Sequence, residues 1–135
     1  MLKYEDIKVG DVAEVSKTIS EYDVYAFAGI TGDFNPVHVN DEFAKDSIFK
    51  YRIAHGMLTA SFISTVLGTK LPAENTIYLS QNLKFTFPVY FGDTITAKVE
   101  VIEKIDEKRI IKLRTTVCNQ RGTTVVDGDA VVIKK

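Results

Sequence analysis

HGMLTASFISTVLGT, residues 55–69, carries no Asp, Glu, Lys or Arg. Leu58, Phe62 and Thr65 follow one ridge at helical spacing, and Ile63, Val66 and Leu67 fill the neighbouring ridges. A helix on a protein surface keeps a charged face, so one without such a face is expected to be wrapped by protein on most sides. The run from Ile53 to Thr69 also holds His55 and several Ser and Thr; it is too short and too polar for a membrane span. Pro72 stops the helix near Leu71.

The covering for such a helix lies downstream. TIYLSQNLKFTF (76–87) alternates, with Ile77, Leu79, Leu83, Phe85 and Phe87 on one face and Tyr78, Ser80, Asn82, Lys84 and Thr86 on the other. After a turn at Pro88 and Phe91–Asp93, TITAKVEVIEK alternates again through Ile95, Ala97, Val99 and Val101. RIIKLRTTVCNQ and TTVVDGDAVVIKK supply two more strands around a turn at Gln120-Arg121-Gly122. Upstream, residues 12–19 form a first strand, with Ala13, Val15 and Ile19 loosely on one face. A helix follows it. Ser20 and Asp23 fit a capping box, and Val24, Phe27, Ala28 and Thr31 share its face. Gly32 and Pro36 end that helix, and DEFAKD (41–46) reads as a short surface helix capped by Asn40. Segregated helices and an antiparallel meander give an α+β class: a sheet with one central apolar helix.

At 135 residues the chain is expected to be one domain, 1–135, with no linker or repeat. Formal net charge is −1, with both signs interspersed. No basic stripe points to nucleic acid and no basic amphipathic helix to a membrane surface. MLKYEDIKVGDV lacks the apolar core of a signal peptide. Cys118 has no partner for an internal disulfide. A cytoplasmic location is therefore expected.

The chain has two histidines, and both lie close to the apolar helix in sequence. Asp33 and His38 stand five positions apart in GDFNPVHVN (32–40). On an ideal helix they would point about 140° apart. The Asn35-Pro36 turn breaks any helix and can converge them into an acid/base pair around one water. The plainer reading has Asp33 satisfying loop amides and His38 as a polar loop residue. His55 and Gly56 open the apolar helix, where unpaired amides and the positive dipole end suit an oxyanion such as a thioester enolate. Equally, Gly56 eases the turn and His55 caps or packs. Ser64 lies about 12 Å along the helix from Gly56. It contacts the Asp33 loop, contacts a bound chain, or bonds back to its own helix. Asp33, His38 and His55 have the residue types to bind a metal but follow no metal-ligand spacing, and no zinc, Walker or nucleophile-elbow motif is present.

FAGITGDFNPVHVNDEFA (27–44), RIAHGMLTASFIS (52–64) and LSQNLKFTFPVYFGDTITAKVEV (79–101) together resemble the MaoC-like dehydratases, and within them the small (R)-specific enoyl-CoA hydratases. The resemblance covers nearly the whole chain in order, and D-x-N-P-x-H followed by H-G-M is specific in combination. It implies the hotdog fold, a curved antiparallel sheet wrapped around the helix after His55. It further implies a homodimer with sheets side by side and acyl tunnels near the interface. The catalytic pair falls on Asp33 and His38, the oxyanion donor on the Gly56 amide, a loop-shaping role on Asn35, and a site-lining role on Ser64. The implied reaction is reversible syn hydration of a trans-2-enoyl-CoA, with no metal and no cofactor, CoA being part of the substrate.

Two dehydrating or hydrolytic relatives of that reaction stay open. One is dehydration of a 3-hydroxyacyl group on acyl carrier protein; the other is thioester hydrolysis. A non-catalytic acyl-thioester binder is a further alternative. Phe62, Val66, Leu67 and Val131 are candidates for a tunnel wall, though their apolar character equally fits plain core, and Lys50, Arg52 and Lys84 are the cations to place relative to its mouth.

Overall fold

The computed structural model describes residues 1–135. Five strands form one antiparallel sheet: β1 (Val12–Thr18), β2 (Thr76–Phe85), β3 (Thr94–Ile105), β4 (Ile110–Cys118) and β5 (Thr124–Lys134). Their spatial order is β1-β3-β4-β5-β2. Four helices accompany it: α1 (Glu21–Thr31), α2 (Pro36–Val39), α3 (Asp41–Lys45) and α4 (Gly56–Thr69). Residues β3 to β5 form a meander as the alternation implies. β2 does not continue it. It crosses over to pair with β5, leaving β1 and β2 as the two edges.

The uncharged helix is α4, and it lies in the curve of the sheet. It packs chiefly on β3 and touches every other strand. Leu58, Ile63, Val66 and Leu67 are buried in one cluster with Ile95, Val99, Leu113 and Val132. Each such side chain removed from water contributes roughly 1.5–3 kcal/mol. This is the hotdog arrangement. The wrapping is one-sided, however. Met57, Ser61, Ser64 and Thr65 lie on an exposed stripe of α4 in the single chain, where protein was expected on most sides.

Local rules account for the smaller elements. Ser20 Oγ accepts the Asp23 N–H while the Asp23 carboxylate accepts the Ser20 N–H, closing the expected box at α1. Gly32 ends α1 in the left-handed conformation at φ 79°. Asn40 caps α3 through the Phe43 N–H. Pro36 does more than punctuate. It opens α2 as the first helical residue, and Asn35 caps it by accepting the Val37 N–H.

The alternation in β2 is interrupted. A bulge at Leu79 separates Tyr78, opposite Val132, from Ser80, opposite Val131. The faces therefore swap at that point. Gln81 pairs with Ala130 on the core side, where its Nε2 donates to the buried Thr115 hydroxyl at 2.8 Å. Ile77, Tyr78, Leu79 and Phe85 remain exposed along this edge.

Gly128 sets how closely β5 approaches β2. A Cβ there would sit 1.8 Å from the Asn82 carbonyl oxygen. Backbone cannot yield as a side-chain tip can. Gly128→Ala is expected to cost about 3 kcal/mol or more, beyond ordinary overpacking, and to appear as a large drop in the denaturation midpoint.

Candidate active site

The loop between α1 and α2 carries Asp33, and α2 carries His38. Asp33 is exposed, and its Oδ1 accepts the Asn35 N–H at 3.2 Å. His38 is buried. Its Nδ1–H donates to the Ile53 carbonyl at 2.7 Å, which leaves Nε2 as an acceptor when the ring is neutral. The loop-amide role for Asp33 and the convergence of the pair are thus both present. One uses Oδ1, and the other leaves the second carboxylate oxygen available.

His55 caps neither end of α4 with its side chain. Its Nε2–H donates to the Asp33 carbonyl at 2.9 Å, and its ring stacks on His38 with centroids 3.8 Å apart. The Phe27 ring also packs on His55, tilted, with centroids 4.9 Å apart. His55 therefore fixes the backbone of Asp33 and the plane of His38, a holding role that spacing in the sequence did not expose.

A carboxylate oxygen of Asp33 and ring nitrogens of His38 and His55 lie within 4.8 Å of one another. Asp33 and His38 make no direct hydrogen bond. A gap of this size admits one water hydrogen-bonded to both. The three are also the one cluster with the residue types to approach a metal. Each ring already donates one nitrogen's proton to a carbonyl, so each has a single nitrogen left for any other role.

Gly56 is the first residue of α4, so its N–H has no acceptor within the helix. Its missing side chain matters locally. A Cβ would lie 2.8 Å from the Phe85 ring. The absence that opens the amide to a ligand also lets Phe85 close over the helix start.

These groups share a cavity of about 530 Å³, a size usual for small-molecule sites. Its apolar walls are Phe49, Phe85, Phe87, Val89, Val125 and Val126. The expected wall is corrected here. Val66 and Leu67 lie in the solid core, and neither Phe62 nor Val131 lines the cavity. The walls come from the segment after α3, the end of β2, the loop after it and the start of β5. Ser64 is not brought to the pair within one chain. It lines a neighbouring groove with Ala60, Tyr78 and Gln81, joined to the first through Met57, which lines both.

Burial pushes the His38 pKa below its ordinary 6.5, with the neighbouring His55 ring acting in the same direction. The Ile53 bond and Asp33 oppose them without prevailing. His38 is thus neutral at pH 7. The folded pKa lies below the unfolded one, so the unfolded chain takes up more protons between them. The contribution to stability is full above about pH 6.5 and is lost as pH falls through the folded value.

The family model for the MaoC like domain matches residues 7–122. The chain belongs to the MaoC-like family. This MaoC-like chain is 52% identical over 130 residues to the (R)-specific enoyl-CoA hydratase of Rhodospirillum rubrum, covering 96% of the chain and 90% of that protein. It is 47% identical over 132 residues to the 3-hydroxybutyryl-CoA dehydratase of Methylorubrum extorquens, covering 98% and 83%. Among solved structures, R-hydratase PhaJ1 from Pseudomonas aeruginosa, unliganded, superposes with a TM-score of 0.94 at 44% identity. That match covers 98% of this chain and 85% of the other.

Proposed function

We propose that this MaoC-like chain is an (R)-specific enoyl-CoA hydratase. It adds water reversibly and syn to a trans-2-enoyl-CoA to give an (R)-3-hydroxyacyl-CoA. The observation that carries the reading is the gap between the Asp33 carboxylate and the neutral His38 imidazole, sized for one water and opening on an apolar cavity. The relatives named for CoA thioesters support the choice of carrier.

In this mechanism Asp33 accepts a proton from the water as its oxygen bonds to C3. The C2–C3 double bond opens toward C2, and charge gathers on the thioester oxygen opposite the Gly56 N–H. The proton that Asp33 accepted then passes by way of the free His38 Nε2 to C2, which returns both side chains to their starting forms. One water is consumed: its hydroxyl ends on C3 and one hydrogen on C2. Asn35 holds the turn, and His55 holds the Asp33 carbonyl. No metal or redox cofactor takes part.

We further propose a cytoplasmic, one-domain enzyme that works as a homodimer. The exposed apolar edge of β2 and the bare stripe of α4 support pairing through that side, because such an edge is seldom left unpaired. Ser64 lies on that stripe and would complete a site across the interface.

The test is incubation with crotonyl-CoA, reading loss of the conjugated absorbance beside a thiol reagent. Absorbance loss without free thiol supports hydration. Thiol release at the same rate assigns hydrolysis instead. The acid limb of kcat/KM is expected to have its midpoint below pH 6.5, because protonating His38 removes its free acceptor. A limb centred above that value would contradict the role of neutral His38.

A further inference from the structure

A second groove, of about 710 Å³, lies between the segment after α3 and the turn before β3. Phe49 lines both this groove and the catalytic cavity, so the two adjoin. Resting on the hydratase reading above, we propose that this groove holds the phosphorylated nucleotide end of the CoA carrier while the acyl end reacts between Asp33 and His38.

Charge is the first argument. Five charged residues line the groove: Asp41, Lys50, Arg52, Asp93 and Arg121. Arg52 is held by Glu21 at 2.8 Å and Asp41 at 2.7 Å. Asp93 is buried, its two oxygens accepting the Tyr90 N–H and the Gln120 side-chain N–H. Both acids are thus engaged. Lys50 and Arg121 pair with no carboxylate, and both are exposed. The groove offers two free cations and no free anion, which suits phosphate groups.

Shape is the second. Tyr51 is 72% exposed and stands edge-on to Tyr90 at 6.3 Å. Tyr90 is anchored by donating its hydroxyl proton to the Phe49 carbonyl at 3.0 Å. An exposed ring beside an anchored one gives a purine a face to stack on. Lys50, which lines the groove immediately before Tyr51, adopts φ 70°, a conformation uncommon for a residue with a side chain. A groove with two free cations and aromatic residues beside them suits the phosphates and the ring of one nucleotide together.

The test compares the wild type with the Lys50→Glu, Arg121→Glu double variant on crotonyl-CoA and on crotonyl-pantetheine, which lacks the nucleotide. The double variant is expected to lose about tenfold or more in kcat/KM on the CoA ester, through KM, with the pantetheine ester altered by less than about twofold. Binding of adenosine 3′,5′-bisphosphate, measured by calorimetry, is expected in the wild type and lost in the double variant. An unchanged CoA ester, or equal losses on both esters, overturns the proposal. So does loss on a carrier-protein thioester with no bisphosphate binding, which assigns the groove to a protein partner. Calorimetry needs no turnover. Wild-type protein that binds the bisphosphate yet leaves crotonyl-CoA unhydrated would refute the hydratase reading and keep the groove assignment.

Discussion

Asp33→Asn is expected to lower turnover of trans-2-enoyl-CoA hydration by about 10²- to 10⁴-fold, the range general acid–base catalysis supplies. The amide keeps an oxygen that can accept the Asn35 N–H, so the turn before α2 should hold. Asp33 is exposed, and its backbone carbonyl, which takes the His55 proton, is untouched by the change. Stability is therefore expected to shift little. What is lost is a carboxylate facing His38, and with it the acceptor for the water's proton. A variant with near-normal turnover and a normal melting curve would remove Asp33 from the mechanism.

His38→Ala is expected to lose turnover over the same range of about 10² to 10⁴, and to lose stability as well. The imidazole is buried, it donates to the Ile53 carbonyl, and it stacks on His55. Its removal leaves a hole and deprives that carbonyl of a donor, at a cost of about 1–3 kcal/mol. Chemical denaturation measures that part. His38→Gln separates the two effects, because it keeps an N–H donor and some volume without the imidazole. Combining Asp33→Asn with His38→Ala should be far from multiplicative, since removing either member of a unit disables the other. A double variant whose loss equals the product of the single losses would argue that the two side chains act independently.

Periodic elements were readable and long-range ones were not. β3 declares itself through Ile95, Ala97, Val99 and Val101, all buried as the alternation requires. The box of Ser20 and Asp23 marks the start of α1 because both partners lie within one turn. The pairing of β2 with β5 has no such local signal. It depends on packing between segments about fifty residues apart, and on Gly128 letting Asn82 approach. The bulge at Leu79 hid the outward turn of Ile77, since an alternating pattern cannot show where one residue is skipped.

The site divides in the same way. The turn at Asn35-Pro36 made convergence of Asp33 and His38 possible to foresee, although α2 itself went unseen because proline was read only as a stop. His55 gave no hint that its partner is the carbonyl of Asp33. Backbone acceptors have no sequence identity. The cavity walls were misplaced because apolar residues of α4 fit a solid core equally well. The cavity is lined instead by Phe85 and Val125, at the ends of strands, and by Phe87 in the loop after β2.

The most direct test of a syn hydratase follows crotonyl-CoA hydration in deuterium oxide and assigns the product at both carbons by NMR and chiral analysis. The expected product is (R)-3-hydroxybutyryl-CoA with deuterium at C2 on the same face as the new hydroxyl, formed by the wild type and almost none by Asp33→Asn. An (S) alcohol, deuterium on the opposite face, or equal product from both proteins would contradict a water held between Asp33 and His38.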